Sequence, residues 1–251
     1  MAVGYRTGEQ SEPGTLAVPV STKCLVGVTS AAALIVLFSS WAGHRVNAPV
    51  DFALAALAVL FAGSRTLRFS DLVGTVSLGS LVVFASLLHL GTPEACVIAA
   101  LGGLAAIAFS PARYGRPPVV MIFAVASLIV TAWVAGHVFT LAGGLPTAVN
   151  GEGLALPAFV SATAYYLVNA VFVAAAAHLT SGVRWRVLAA TCLGPTVLGF
   201  YAGAGLAVIL HVAWQLSGAW VILAGLPVGY AIHLSLARKV TESAATAGRD
   251  S

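Results

Sequence analysis

Long apolar runs separated by short polar gaps make up most of the chain. Eight runs almost free of Asp, Glu, Lys and Arg lie at 24–42, 50–64, 72–91, 95–110, 118–142, 154–180, 187–211 and 216–237. A helix of about 20 apolar residues crosses the roughly 30 Å of bilayer hydrocarbon. The pattern therefore predicts an all-α polytopic membrane bundle of about eight transmembrane helices. If the short second run only dips into the membrane, the count is seven.

The Lys and Arg residues occupy alternate gaps between these runs. Eleven of the twelve follow this alternation and the exception is Arg45. Short loops rich in Lys and Arg stay in the cytoplasm. Both termini are therefore predicted to be cytoplasmic, and the loops near 43–49, 92–94, 143–153 and 212–215 are predicted to face outward.

Composition agrees with the pattern, because 59% apolar residues, 8% charged residues and a mean hydropathy of +0.98 are incompatible with a water-soluble globule. We expect disordered cytoplasmic tails at 1–23 and 240–251 around a transmembrane domain at 24–239. The net charge of +4 is interpreted as a signal for orientation in the lipid bilayer, not for nucleic acid binding.

Common catalytic motifs are absent from the sequence. It contains no Gly-x-x-x-x-Gly-Lys, His-Glu-x-x-His or Gly-x-Ser-x-Gly pattern, and its acidic residues lie in tails, loops or span ends. Without an intramembrane carboxylate, ion-driven transport is disfavoured. The sequence predicts a protein that is not an enzyme and needs no cofactor.

Polar side chains within the sixth run are the first candidate site. Tyr165, Tyr166 and Asn169 lie in its outer half and middle, with Ser77 and Ser80 of the third run expected opposite. An amide in hydrocarbon requires a hydrogen-bond partner. Two readings follow, an interhelical hydrogen bond or the lining of a ligand cavity.

Histidines near the outer ends of several runs are the second candidate site. His89, Glu94, His137 and His211 are predicted at the outer surface, and His44 and Glu152 could reach them. Histidine and carboxylate together suit a divalent metal or a pH sensor. Because no two of these residues lie four apart on one helix, no metal site is predicted and ordinary interfacial histidines are the simpler interpretation.

Small residues at four-residue spacing predict close helix packing. Gly199 and Gly203 lie four apart in the seventh run, the spacing at which helix backbones approach closely. We expect this contact inside one bundle.

A family resemblance covers residues 24 to 239. The chain resembles the polytopic N-terminal membrane region of bacterial HD-GYP phosphodiesterases and related GGDEF proteins of cyclic di-GMP signalling. The matching stretches are Gly74-Thr-Val-Ser-Leu-Gly79, Leu90-Gly-Thr-Pro-Glu94, Arg116-Pro117-Pro118, Tyr165-Tyr166-Leu-Val-Asn169, Thr180-Ser-Gly182 and Leu226-Pro227-Val-Gly-Tyr230. The resemblance implies a sensory module of the bacterial inner membrane, here expected to lack the catalytic output domain.

A more distant likeness concerns Val76-Ser-Leu-Gly79 through Leu90-Gly-Thr-Pro93 and the Ala- and Gly-rich helix that follows. This segment is similar to the substrate-binding S components of energy-coupling-factor vitamin transporters, which implies a small-molecule pocket between helices. The predicted function is a non-catalytic sensory or ligand-binding module that signals to a separate cytoplasmic effector. The alternatives are a vitamin-binding component that partners another transporter subunit, or a structural subunit of a membrane complex.

Overall fold

The structure is a computed structural model that describes residues 20–64, 78–109, 118–145, 153–181, 194–218 and 221. Seven α-helices and their turns account for these ranges, which contain no strand. The helices are α1 (Val20–Trp41), α2 (Pro49–Ser64), α3 (Leu78–His89), α4 (Thr92–Ala108), α5 (Pro118–Leu141), α6 (Ala155–Ser181) and α7 (Gly194–Ser217). The predicted all-helical class is confirmed for this part of the chain. Residues 1–19 of the first predicted tail, the whole of the second predicted tail and most of the eighth run lie outside the described residues.

The turn between α3 and α4 is shorter than the sequence predicts. The prediction of a loop at 92–94 is wrong, because α4 already begins at Thr92 and the turn consists of Leu90 and Gly91. Gly91 has a φ of 112°, a conformation that favours glycine. Proline is tolerated in the first turn of a helix, where its missing N–H has no intrahelical partner. Pro93 therefore starts this helix and does not interrupt it.

The loop expected at 212–215 is also wrong, because α7 continues through it to Ser217. Gln215 is polar, but one polar residue does not end a helix. The helix ends at Gly218, whose φ of 74° is the left-handed conformation common after a helix C-terminus. The Gly218 amide still donates to the Trp214 carbonyl oxygen at 2.8 Å.

Helices α4 and α5 lie at the centre of the bundle. Helix α4 packs against α2, α3 and α5, and α5 packs against α1, α4 and α6. Many buried positions of α4 carry small side chains, among them Ala95, Ala99 and Ala105. Small side chains let neighbouring helix axes come close, which is how apolar bundles gain packing contacts.

Glycine makes the closest approach between α2 and α4. A Cβ atom at Gly63 would lie 2.8 Å from Ala105 Cβ, and one at Gly102 would lie 2.7 Å from Val59 Cγ2. By contrast, a Cβ at Gly203 would meet nothing within 4 Å in the described part of the chain. The close helix packing expected at Gly203 is not seen among the described residues. Close approach occurs instead between α2 and α4, at Gly63 and Gly102.

Three of the described helices are long and apolar enough to cross a membrane, namely Val20–Trp41, Pro118–Leu141 and Ala155–His178. Large apolar side chains also cover the outer surface of the bundle, including Val28, Phe38, Phe159 and Val171. A monomer in water rarely exposes so much contiguous apolar surface. These features are compatible with a membrane protein.

Candidate functional sites

Five ionisable side chains lie at one end of the bundle, in two contacting groups: His44 with Glu94, and His89 with Asp51 and His211. They come from the α1–α2 connection, the start of α2, the end of α3, the start of α4 and the last turns of α7. We call this group the histidine end, and it consists of His44, Asp51, His89, Glu94 and His211.

The shortest contact at the histidine end joins His44 to Glu94. His44 Nε2 lies 2.6 Å from Glu94 Oε1. Glu94 is only 2% exposed, and its Oε2 has no hydrogen-bond partner among the described residues. Nearby, the Trp41 indole N–H donates to the Pro93 carbonyl oxygen at 3.3 Å. These two contacts hold the end of α1 and the following connection against the start of α4.

His89 links three helices at the same end. Its Nε2 lies 3.3 Å from Asp51 Oδ2 of α2, and its ring stacks on Trp214 of α7 with centroids 4.1 Å apart. The His211 ring lies edge-on to His89 at 5.6 Å and is almost fully buried. Because α7 carries both His211 and Trp214, the position of its last turns depends on the His89 ring.

The sequence predicts part of the histidine end. His89, Glu94, His211 and His44 are brought to one end as expected, whereas His137 contacts the Trp133 carbonyl oxygen of its own helix at 3.0 Å. Glu152 lies outside the described residues. Asp51 was missed, although its place in the first turn of α2 puts it at the same end as the last turn of α3. In the described part of the chain, no three His, Cys, Asp or Glu residues converge as a metal site would require.

The side chains predicted to line a ligand cavity on α6 pack mainly against aromatic rings. Tyr165 is buried between Phe84 of α3, edge-on at 6.3 Å, and Phe200 of α7, at 5.4 Å. The Tyr166 ring also lies 5.4 Å from Phe200. Asn169 is half-buried and has no hydrogen bond to another described residue. Ser161 and Thr163 of α6 make hydrogen bonds to neighbouring helices.

Ser80 lies beside a small cavity between α3, α6 and α7. Its volume is about 10 Å³, and Phe84, Ala162 and Phe200 also line it. This space accommodates about one water molecule. Ser77, which was predicted to lie beside Ser80, is outside the described residues.

The larger cavity lies elsewhere, between α1, α4 and α5. We call it the lateral cleft, and it has a volume of about 490 Å³ between residues 30–37 of α1, 104–107 of α4 and 118–129 of α5. Leu34, Leu104 and Ile122 line it and are each more than half exposed, so its mouth lies on the outer surface of the bundle. Sites for small molecules have volumes of about 300–1,000 Å³ and mainly apolar walls.

Ser30 is the one hydroxyl among the residues that line the lateral cleft. Its Oγ is buried and has no hydrogen-bond partner in the described ranges. Nothing in the sequence pattern marks this site, because its other lining residues look like the rest of an apolar helix.

The fold and these sites define a class, an all-helical bundle with membrane-length helices and an apolar cavity open at its side. No protein family, curated protein or solved structure matches the chain.

Proposed function

We propose that this protein is a non-catalytic sensory module of the bacterial inner membrane, which binds a small molecule in the lateral cleft and signals to a separate cytoplasmic partner. The observation that carries this proposal is the cleft itself. It combines about 490 Å³ of space with walls that are almost entirely apolar. Its mouth faces the side of the bundle, so a membrane-soluble molecule enters from the lipid.

The proposal includes eight spans with both termini in the cytoplasm. Two observations support it. The α1–α2 and α3–α4 connections lie at the histidine end, as shown by the contact between His44 and Glu94. The Arg pairs at 65–68 and 113–116 follow α2 and α4 in the sequence, after the helix ends that lie away from the histidine end. In the proposed orientation the histidine end faces outward.

Signalling in this account is a shift between two packings of the bundle. The cleft is bordered by α1, α4 and α5, whose predicted cytoplasmic ends are Val20, Ala108 and Pro118. A ligand that binds one packing more tightly raises its population, whether or not that packing was common before binding. A small rearrangement at the cleft then displaces helix ends that a cytoplasmic protein can contact.

The experiment that tests this function compares the small molecules retained by two purified variants. Ile122→Trp places a large ring at the mouth of the cleft, and Leu167→Trp makes the same change on the outer face of α6. The native side chains are similarly exposed, at 53% and 52%. Protein is purified in lipid nanodiscs from its own host membranes, and organic extracts are compared by mass spectrometry.

We expect one compound to be retained at close to one molecule per protein by the wild type and by Leu167→Trp. Ile122→Trp should retain much less of that compound, because the new ring occupies its site. Equal small-molecule content in all three proteins would refute ligand binding in the cleft.

A further inference from the structure

We propose that the ligand of the lateral cleft is a single-chain lipid with an anionic headgroup, of the fatty acid class, whose hydrocarbon chain lies in the cleft and whose headgroup contacts Lys23. This inference rests on the proposed function and adds the chemical class of the ligand. Three features carry it: walls whose side chains present hydrocarbon, a length that matches one leaflet, and a cationic side chain on the same face of α1 as the cleft.

The walls of the lateral cleft determine which part of a ligand can enter it. Apart from Ser30, the lining side chains are Ala, Val, Leu, Ile, Met and Pro, and the Ser30 Oγ atom is buried away from the open space. A hydroxyl, amide or charged group in the cleft would lose its hydrogen bonds to water and gain none from these side chains, which is unfavourable. The part of the ligand inside the cleft is therefore hydrocarbon, and any polar group stays outside.

The cleft is about as long as the hydrocarbon of one leaflet. Its wall on α5 runs from Pro118 to Ile129, which is about 17 Å at 1.5 Å per residue. One leaflet contributes about half of the roughly 30 Å of bilayer hydrocarbon. An acyl chain whose headgroup lies level with Pro118 therefore spans the whole cleft.

Lys23 of α1 lies level with the Pro118 end of the cleft. At the histidine end, Trp41 of α1 and Gly136 of α5 face adjacent residues at the start of α4. Lys23 and Pro118 each lie eighteen residues, or about 27 Å, back along these two helices. Both residues therefore lie at the end of the bundle opposite the histidine end.

Lys23 also lies on the face of α1 that lines the cleft. It precedes Ser30 by seven residues and Leu37 by fourteen, and such spacings bring side chains to one side of a helix. Gly27 lies between Lys23 and Ser30 on this side, and a Cβ atom there would meet no described residue within 4 Å. The surface of α1 between Lys23 and the cleft is therefore open to a ligand.

The charge of Lys23 favours an anionic headgroup. Lys23 is exposed and forms no ion pair within the described ranges, whose acidic residues, Asp51 and Glu94, lie at the histidine end. A long lysine side chain at the end of a spanning helix extends its ammonium group to the headgroup layer. A fatty acid places its carboxylate in this layer while its chain occupies the cleft.

A single chain fits the cleft and the proposed function better than a phospholipid does. A volume of about 490 Å³ that extends over one leaflet is wide enough for one chain, so the second chain of a diacyl lipid would lie outside. An anionic phospholipid is also a constant component of the membrane, so its binding would carry no signal.

Photolabelling with a fatty acid tests both the place and the headgroup of the ligand. The probe is palmitic acid with a diazirine near its methyl end, which loses nitrogen on irradiation and inserts as a carbene into nearby C–H bonds. The protein in phosphatidylcholine nanodiscs is irradiated with this probe, and the labelled peptides are mapped by mass spectrometry. Palmitic acid and hexadecanol, which share a chain length and differ in the charge of the headgroup, are then compared as competitors.

We expect label near Leu37 and Ile129, at the end of the cleft away from Lys23, and stronger competition by palmitic acid than by hexadecanol. Lys23→Gln should lower the ratio of the two potencies about five-fold, the factor that corresponds to one lysine beside an anionic lipid surface. Because both competitors partition into the same lipid in every variant, this change in ratio isolates the protein contact. Lys23→Arg keeps the charge and should keep the preference. Arg45→Gln removes the same charge at the histidine end and should leave the ratio unchanged.

The other outcomes separate the inference from the function beneath it. If Lys23→Gln leaves the preference for palmitic acid intact while Ile122→Trp abolishes labelling, the cleft binds hydrocarbon chains and the anionic headgroup is overturned. If phosphatidylglycerol competes as well as palmitic acid, the single chain is overturned. If the probe does not label the wild-type cleft, or labels Ile122→Trp equally, the fatty acid class is overturned. The proposed function is then decided separately, by whether Leu167→Trp retains a compound that Ile122→Trp loses.

Discussion

His44 Nε2 lies 2.6 Å from Oε1 of Glu94, a carboxyl group that is almost completely buried in the first turn of α4. A negative charge is favourable at a helix N-terminus, where unpaired N–H groups give the helix dipole its positive end. The helix alone does not offset the cost of burying the charge, so the contact with His44 is needed. The pair therefore holds the α1–α2 connection against α4.

Removing His44 should destabilise the protein through the partner that is left behind. We expect His44→Ala to lower the free energy of unfolding by about 1–3 kcal/mol, because Glu94 then stays buried without its partner. The measurement is reversible unfolding in mixed detergent micelles, followed by circular dichroism.

Arg45→Ala is the matched control, since Arg45 is the next residue and is exposed. Its effect should be within about 0.5 kcal/mol. The double variant His44→Ala with Glu94→Gln should lose less stability than the sum of the single changes, because a neutral amide is easier to bury than a carboxylate. Strictly additive losses would contradict the proposed coupling.

Gly136 on α5 allows the close approach of two other helices. A Cβ atom there would collide with the Thr92 side chain of α4 and would lie 2.9 Å from Leu87 Cδ1 of α3. Gly136→Ala should therefore destabilise the bundle by about 1–3 kcal/mol. In Gly203→Ala the new methyl meets no atom of the described residues within 4 Å, so better helix propensity should add up to about 1 kcal/mol. Thermal unfolding of both variants checks this, and equal shifts in Tm would show that packing at Gly136 is not tight.

Ser161 ties α6 to α5 through a backbone oxygen. Its buried hydroxyl donates to the Ala135 carbonyl oxygen at 2.8 Å. Interhelical bonds of this kind in membrane bundles contribute about 0.6 kcal/mol on average and at most nearly 2 kcal/mol. We expect Ser161→Ala to cost an amount in this range in a detergent unfolding titration. Ser39→Ala, which removes a part-buried hydrogen bond within one helix, should cost less, and the reverse order would argue against this role.

Orientation is tested by labelling of intact cells. Cys24, Cys96 and Cys192 are first replaced by Ala, and single cysteines are introduced at the exposed positions Asn47 and Phe109. A membrane-impermeant maleimide should label Asn47→Cys in intact cells, and Phe109→Cys only after permeabilisation. Labelling of Phe109→Cys alone in intact cells would invert the proposed topology.

The sequence predicts helices well where chemical signals mark both ends. The apolar run of α5 starts at Pro118 and ends before the glycines at 143 and 144, and the helix follows it from Pro118 to Leu141. By contrast, the seventh run was predicted to end at 211, whereas α7 continues to Ser217 and ends before Gly218, which has a positive φ. The polarity of the residues locates the end of a helix only approximately. A residue with positive φ ends the helix at a defined position.

The sites were harder to predict because they depend on distances between helices. His89 and Asp51 are 38 positions apart, and their contact becomes evident only when α2 and α3 are packed together. The lateral cleft is a gap between side chains of ordinary apolar helices, so no residue type announces it.

The central claim is that an occupied cleft moves the cytoplasmic ends of the helices around it. The direct measurement is the electron–electron distance between spin labels at Val20→Cys and Phe109→Cys, both exposed, in nanodiscs and in a background where Cys24, Cys96 and Cys192 are replaced by Ala. A saturating concentration of the compound that the wild type retains from its host membranes should shift the distance distribution by about 1–2 Å or more in the wild type, and should leave it unchanged in Ile122→Trp. An unaltered wild-type distribution, with that compound demonstrably in the cleft, would contradict a sensory role.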